Sequence, residues 1–203
     1  VRGHGYIEDA AYLSSNAGNL AAFLYALKAG GNGATRPYYD RIVRRIRTAL
    51  PQFEDFDLRP SSLNERYIVL NWRERGMDYL FGPHQLSDGT LRFMALTTLL
   101  LLPPDRLPRV IVLDEPELGL HPSALSSLAG LVRSVSEHCQ VVLATQSPRL
   151  VDEFEPQHIV VVERDELSRS SVFKRLDESL LAEWVERYSL SELWEKNVLG
   201  GRP

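Results

Sequence analysis

The chain has 203 residues, 44% of them hydrophobic and 25% charged, with a formal net charge of −4. That profile describes an ordinary globular protein and excludes a polycation built to coat nucleic acid, so any DNA contact must come from a local patch. One cysteine, Cys139, excludes an internal disulfide and has no Cys or His partner at metal-ligand spacing, which points to a reducing compartment. The longest apolar stretch, Phe93 to Leu102, is about half what a membrane span requires, and no signal peptide is visible. The chain begins Val1-Arg2-Gly3, without an initiator methionine, and reads as opening in the middle of a longer protein.

In chain order, Asn19 to Gly31 reads as a helix, with Leu20, Phe23, Leu24 and Leu27 at spacings of three and four and glycines at its end. Tyr38 to Pro51 is a second helix, stopped by proline. It carries Arg41, Arg44 and Arg45, a basic face of the kind that meets DNA phosphates but more commonly only water. The run RYIVLNWRERGMDYLF, residues 66–81, reads as two strands joined by a turn at Arg73 to Gly76.

After LSDGT (Leu86 to Thr90) the pattern changes. Leu91 to Leu102 is a mostly apolar helix closed by Pro103-Pro104. Val110 to Leu113 is a short, continuous apolar run rich in β-branched residues, the pattern of a strand buried on both faces. Pro122 suits a first helical turn, and Leu125, Leu128, Ala129, Val132 and Val135 form a stripe behind it. Val141 to Ala144 and Ile159 to Val162 read as second and third buried strands, which predicts right-handed crossovers and a parallel sheet. SSVFKRL adds an edge strand. The tail reads as two helices with a capping box between Ser189 and Glu192, and Leu181, Trp184, Val185 and Tyr188 on one core-facing side.

Three pieces carry chemistry. Asp114 and Glu115 end a strand, where ligands of open α/β sheets bind. An aspartate there suits Mg²⁺, which prefers hard oxygens and keeps much of its water. Glu115, one residue on, suits polarising an attacking water. Ser87 and Gly89 open a helix whose N-terminal dipole favours an anion such as a γ-phosphate. Gln146 follows a strand and is placed to reach a phosphate or that water. Each piece has a plainer reading: a carboxylate that caps the next helix, a Ser/Asp cap beside a glycine, a polar loop residue. Arg92 suits either phosphate or a surface ion pair. His84 and His121 suit capping or hydrogen bonding, and Cys139 a small core residue.

Taken in order, LSDGTLRFMAL, VIVLDEPELGLHP and ATQSPRLVDEF resemble the signature, the Walker B strand with its D-loop, and the switch segment of an ABC-type ATPase head, in the RecF-, SMC- and OLD-like branch of predicted AAA ATPases. The closing YSLSELWEKNVLGGRP resembles the end of such heads. The resemblance implies an α/β fold: a partial P-loop NTPase lobe with parallel core strands, flanking helices and a β-hairpin before the signature. Residues 1–85 would form the helical and hairpin region and residues 86–203 the α/β lobe. It implies ATP and Mg²⁺ as ligands, with Asp114 on the metal and Glu115 and Gln146 catalytic. Ser87, Asp88, Gly89 and Thr90 would contact the nucleotide of an opposing subunit, with Gly119, Leu120 and His121 at the dimer seam.

Two departures stand out. Gln146 occupies the position of a histidine and can only hydrogen-bond, not take a proton. No G-x-x-x-x-G-K-[ST] occurs anywhere in the 203 residues. KAGGNGATR, Lys28 to Arg36, lacks the Lys-Ser/Thr end, follows a helix and reads as a flexible loop. The expectation is therefore a fragment, inactive alone, whose Walker A lobe lies elsewhere. It would belong to a cytoplasmic, ATP-dimerised ATPase of DNA maintenance or anti-phage defence, with DNA and a nuclease as partners and no membrane. The alternatives are a transporter's nucleotide-binding subunit and a non-catalytic docking module.

Overall fold

A computed structural model describes residues 5–7, 10–30, 33–177, 181, 184 and 186–201. The chain divides into two compact units, Val1–Leu143 and Ala144–Pro203.

The core of the first unit forms around three helices. Helix α1 (Leu20–Ala29) buries Leu20, Phe23, Leu24 and Leu27, the stripe its spacing predicts. Helix α2 (Arg36–Ala49) starts with a proline in its first turn and buries Tyr39, Ile42, Val43 and Ile46. Helix α3 (Asp88–Leu100) is apolar nearly all round and accordingly buried on most sides.

The strands ahead of α3 differ from expectation. β1 (Gly5–Tyr6), β3 (Pro60–Ser61) and β4 (Asn64–Ile68) form one antiparallel sheet in the order β1-β4-β3. β2 (Phe53–Asp57), β5 (Asn71–Glu74) and β6 (Leu80–Phe81) form another, ordered β2-β5-β6. The expected hairpin is β5–β6, with Gly76 at φ 73° in its turn. The run read as its first strand breaks at Val69-Leu70, and its first part pairs in the other sheet. An aromatic file of Phe53, Trp72 and Phe81 ties β2, β5 and β6 together, with ring centroids 6.2 and 4.7 Å apart.

Beyond α3, β7 (Val110–Asp114), α4 (Pro122–Val135) and β8 (Gln140–Ala144) make a strand-helix-strand unit whose two strands pair in a small parallel sheet. The α4 stripe is buried as predicted. The strands are not buried on both faces. Ile111 is 4% exposed, but Val110, Val112 and Val142 are 49%, 69% and 44% exposed. A continuous apolar run fits two-sided burial, but it fits equally a strand with one uncovered apolar face, and this sheet leaves one uncovered.

In the second unit, α5 (Pro148–Val151) is the expected short helix. The predicted third parallel strand, β9 (Val160–Arg164), pairs antiparallel with β10 (Ser171–Arg175) instead, because the connection is a short turn organised by Asp165, whose carboxylate accepts from the Leu167 and Ser168 amides. Val161 faces a core of Val151, Leu176, Leu181, Leu190, Leu193 and Leu199. Val160, Val162 and Phe173 lie on the outer face and are exposed. The closing helix, Leu190–Glu195, has the predicted capping box. Val185 and half of the helix read before Ser189 lie outside the described residues.

Candidate functional site

Ser87 caps α3. Its backbone is extended, and its Oγ accepts the Thr90 amide at 3.0 Å and lies 2.8 Å from Thr90 Oγ1. The plain capping reading is therefore realised, and it places Ser87 and Asp88 on the exposed start of the helix. Gly89 is buried. A Cβ there would lie 1.9 Å from the carbonyl oxygen of Gly119, closer than any atom can approach. Glycine at 89 thus serves the packing of α3 on the loop after β7, a reason the five-residue motif did not reveal.

Asp114 ends β7 and is exposed, as is Glu115. Among the described residues neither carboxylate is in an ion pair. Glu115 has φ 43°, a left-handed conformation that costs a non-glycine residue about 1–2 kcal/mol. Its carbonyl oxygen accepts from the Leu118 amide at 3.1 Å and from Arg92 Nη1 at 3.0 Å; the same Nη1 lies 3.4 Å from the Leu118 carbonyl. Arg92, read as a phosphate or ion-pair residue, here holds the backbone of the loop. Gly119 turns at φ 77°. Leu120 is half-buried, and its amide donates to the Glu117 carbonyl at 2.9 Å. His121 caps α4, its Nδ1 accepting the Ser123 amide at 3.3 Å.

The first unit therefore brings together Ser87, Asp88, Gly89 and Thr90 with the Asp114–His121 loop, through Gly89 against Gly119 and Arg92 on Glu115. Gln146 belongs to the second unit. It is exposed in the segment before α5, where Ser147 Oγ accepts the Leu150 amide at 3.3 Å. Lys28, in the glycine-rich stretch, is committed elsewhere. Its Nζ donates to Asp55 Oδ2 at 3.0 Å and to the Phe56 carbonyl at 2.9 Å. Tyr39 donates to the other Asp55 oxygen at 2.6 Å, and burial, then that hydrogen bond, push the phenol well above its ordinary 10.0.

The donor set fits Mg²⁺ only as a shared ligand. Asp114 offers an exposed hard carboxylate, and the described residues contain no cluster of three or more His, Cys, Asp or Glu side chains able to hold an ion by themselves. Mg²⁺ accepts one carboxylate with water and phosphate oxygens completing its shell.

A parallel strand ending in two exposed carboxylates, packed beside a serine-capped helix, is the arrangement expected of an ABC-type ATPase head. The family model described as AAA domain, putative AbiEii toxin, Type IV TA system matches residues 2–152, and the chain belongs to that family. The energy-coupling factor transporter ATP-binding protein EcfA2 of Staphylococcus aureus strain USA300 is 31% identical over 107 residues, covering 50% of this chain; the chain spans 35% of that relative's length. Solved structures share the fold. A chain from a study of ATP-driven dimerization and DNA-stimulated activation of SMC ATPases superposes with a TM-score of 0.53 at 14% identity, covering 78% of this chain and 98% of the other. The Smc head domain of Pyrococcus furiosus, bound to the C-terminal domain of ScpA, superposes with a TM-score of 0.55 at 14% identity, over 84% and 44%.

Proposed function

We propose that these residues form the signature and Walker B portion of an ATP-hydrolysing ABC-type head. The observation that carries this reading is the joining, in one unit, of the Ser87-to-Thr90 helix start to the Asp114-Glu115 strand end through the Gly89–Gly119 contact. Asp114 would hold Mg²⁺, which when bound would neutralise triphosphate charge. Glu115 accepts the proton of the attacking water. Ser87 Oγ and the α3 amides meet the γ-phosphate held by an opposing copy, while Asp88 and Thr90 flank it and Gly119, Leu120 and His121 line the seam.

The lysine-bearing phosphate loop comes from outside these 203 residues. The uncovered face of Val110, Val112 and Val142 supports a lobe seated there. Dimerisation on ATP and DNA partnership follow the SMC likeness by analogy, and DNA maintenance or anti-phage defence, with a nuclease partner, is the setting we infer, in the cytoplasm. No helix among the described residues is long and apolar enough to cross a membrane. The EcfA2 match favours a second reading, the ATP-binding subunit of a transporter. The test is turnover by the protein assembled with its Walker A lobe: Glu115→Gln is expected to retain nucleotide and lose hydrolysis. Unchanged hydrolysis removes the catalytic reading, and turnover that requires a membrane partner favours the transporter.

A further inference from the structure

We propose that Arg92 is the positioning residue for Glu115, a role that rests on the ATPase reading above. Pro116 follows Glu115. The Glu115–Pro116 peptide has no N–H, so its carbonyl oxygen is the only hydrogen-bonding handle by which its plane can be fixed. That oxygen takes two donors, the Leu118 amide at 3.1 Å and Arg92 Nη1 at 3.0 Å, filling both lone pairs. The guanidinium bond is charge-assisted, and its reach to the Leu118 carbonyl at 3.4 Å spans the turn.

The orientation of this peptide is coupled to the backbone torsions of Glu115, and with them to the direction of its side chain. The conformation held, φ 43°, is one that glutamate does not favour, so it needs outside support. Arg92 sits on the same helix as Ser87 and Gly89. A second contact, Gly89 against Gly119, fixes the far end of the same loop. One rigid element thus sets both the proposed phosphate-facing helix start and the aim of the proposed general base. Arg92 acts through Glu115 and touches neither nucleotide nor water.

The experiment compares Arg92→Lys and Arg92→Gln with Glu115→Gln. In the protein assembled with its Walker A lobe, both Arg92 variants are expected to lower kcat by about 10- to 100-fold, as misplacement of a catalytic group does, while KM for ATP stays within about twofold. In the 203-residue chain alone, hydrogen exchange at the Leu118 amide is expected to speed up about tenfold or more, with the Phe93 and Met94 amides inside α3 unchanged. If Glu115→Gln stops turnover but both Arg92 variants keep the parental kcat, the positioning role is wrong and the ATPase reading stands. If Glu115→Gln leaves turnover intact, or no turnover is found, the ATPase reading fails or is left aside. The exchange result then decides alone: unchanged Leu118 exchange in both variants overturns the role of Arg92. A rise in KM with kcat preserved also overturns it, since that marks a binding residue.

Discussion

A Cβ on Gly89 would lie 1.9 Å from the carbonyl oxygen of Gly119, whereas a Cβ on Gly119 would lie 3.4 Å from the nearest atom of Gly89. The two glycines meet, but they are not equivalent. Position 89 has no room for a side chain. Position 119 has room but turns at φ 77°. Gly89→Ala is therefore expected to force α3 and the loop apart, costing about 2–3 kcal/mol in urea unfolding. Gly119→Ala carries only the left-handed backbone penalty, about 1 kcal/mol. The reverse order of the two losses would mean that the helix and the loop are not in contact.

Glu115 supplies a second stability test. Its left-handed backbone favours glycine, so Glu115→Gly is expected to be more stable than Glu115→Ala by about 1 kcal/mol, the opposite of the ranking at an ordinary strand or helix position. Thermal unfolding of the two variants measures this. An alanine variant as stable as the glycine variant would show that the strain is not there.

Much of the helical framework was legible from spacing alone, because a stripe such as Leu20, Phe23, Leu24 and Leu27 has one physical solution. β2 was missed because FEDFD mixes three carboxylates with two phenylalanines, and only tertiary packing reveals that both rings are buried. The split of RYIVLNWRE between two sheets was not legible, since both halves are equally strand-like. The Asp114-Glu115 strand end and the Ser87 cap were visible as motifs. The holding of Glu115 by Arg92, from 23 positions away, was not, because a side chain bonding to a carbonyl leaves no pattern in sequence.

The uncovered sheet face predicts unusual tolerance. Val112 lies in the most strand-like segment of the chain yet is 69% exposed. Val112→Asp is expected to change the stability of the chain by less than about 0.5 kcal/mol. The same change is expected to abolish association with a Walker A lobe, measured by co-elution of the two parts. A large stability loss in the chain alone would mean that this face is already covered.

Charge pairing ahead of α3 sets a pH dependence. Burial would raise the Asp57 carboxyl, but hydrogen bonds from Arg59 and Arg73, at 2.7 and 2.9 Å, outweigh it and hold Asp57 below its ordinary 3.8. The folded value is depressed, so this contribution is fully present above the unfolded value and is lost as pH falls through the folded one. The stability gap between the parent chain and Asp57→Asn is expected to be constant near neutrality and to shrink below pH 3.8. Denaturant titrations at both ends of that range check it; a gap that widens in acid would reverse the sign.

We infer that these residues build only half of a triphosphate site. Calorimetric titration of the 203-residue chain with Mg²⁺-ATP tests it most directly. Millimolar affinity or no heat of binding is expected, since Lys28 is spent on Asp55 and the sequence contains no G-x-x-x-x-G-K-[ST] loop. Micromolar binding by this chain alone would contradict it.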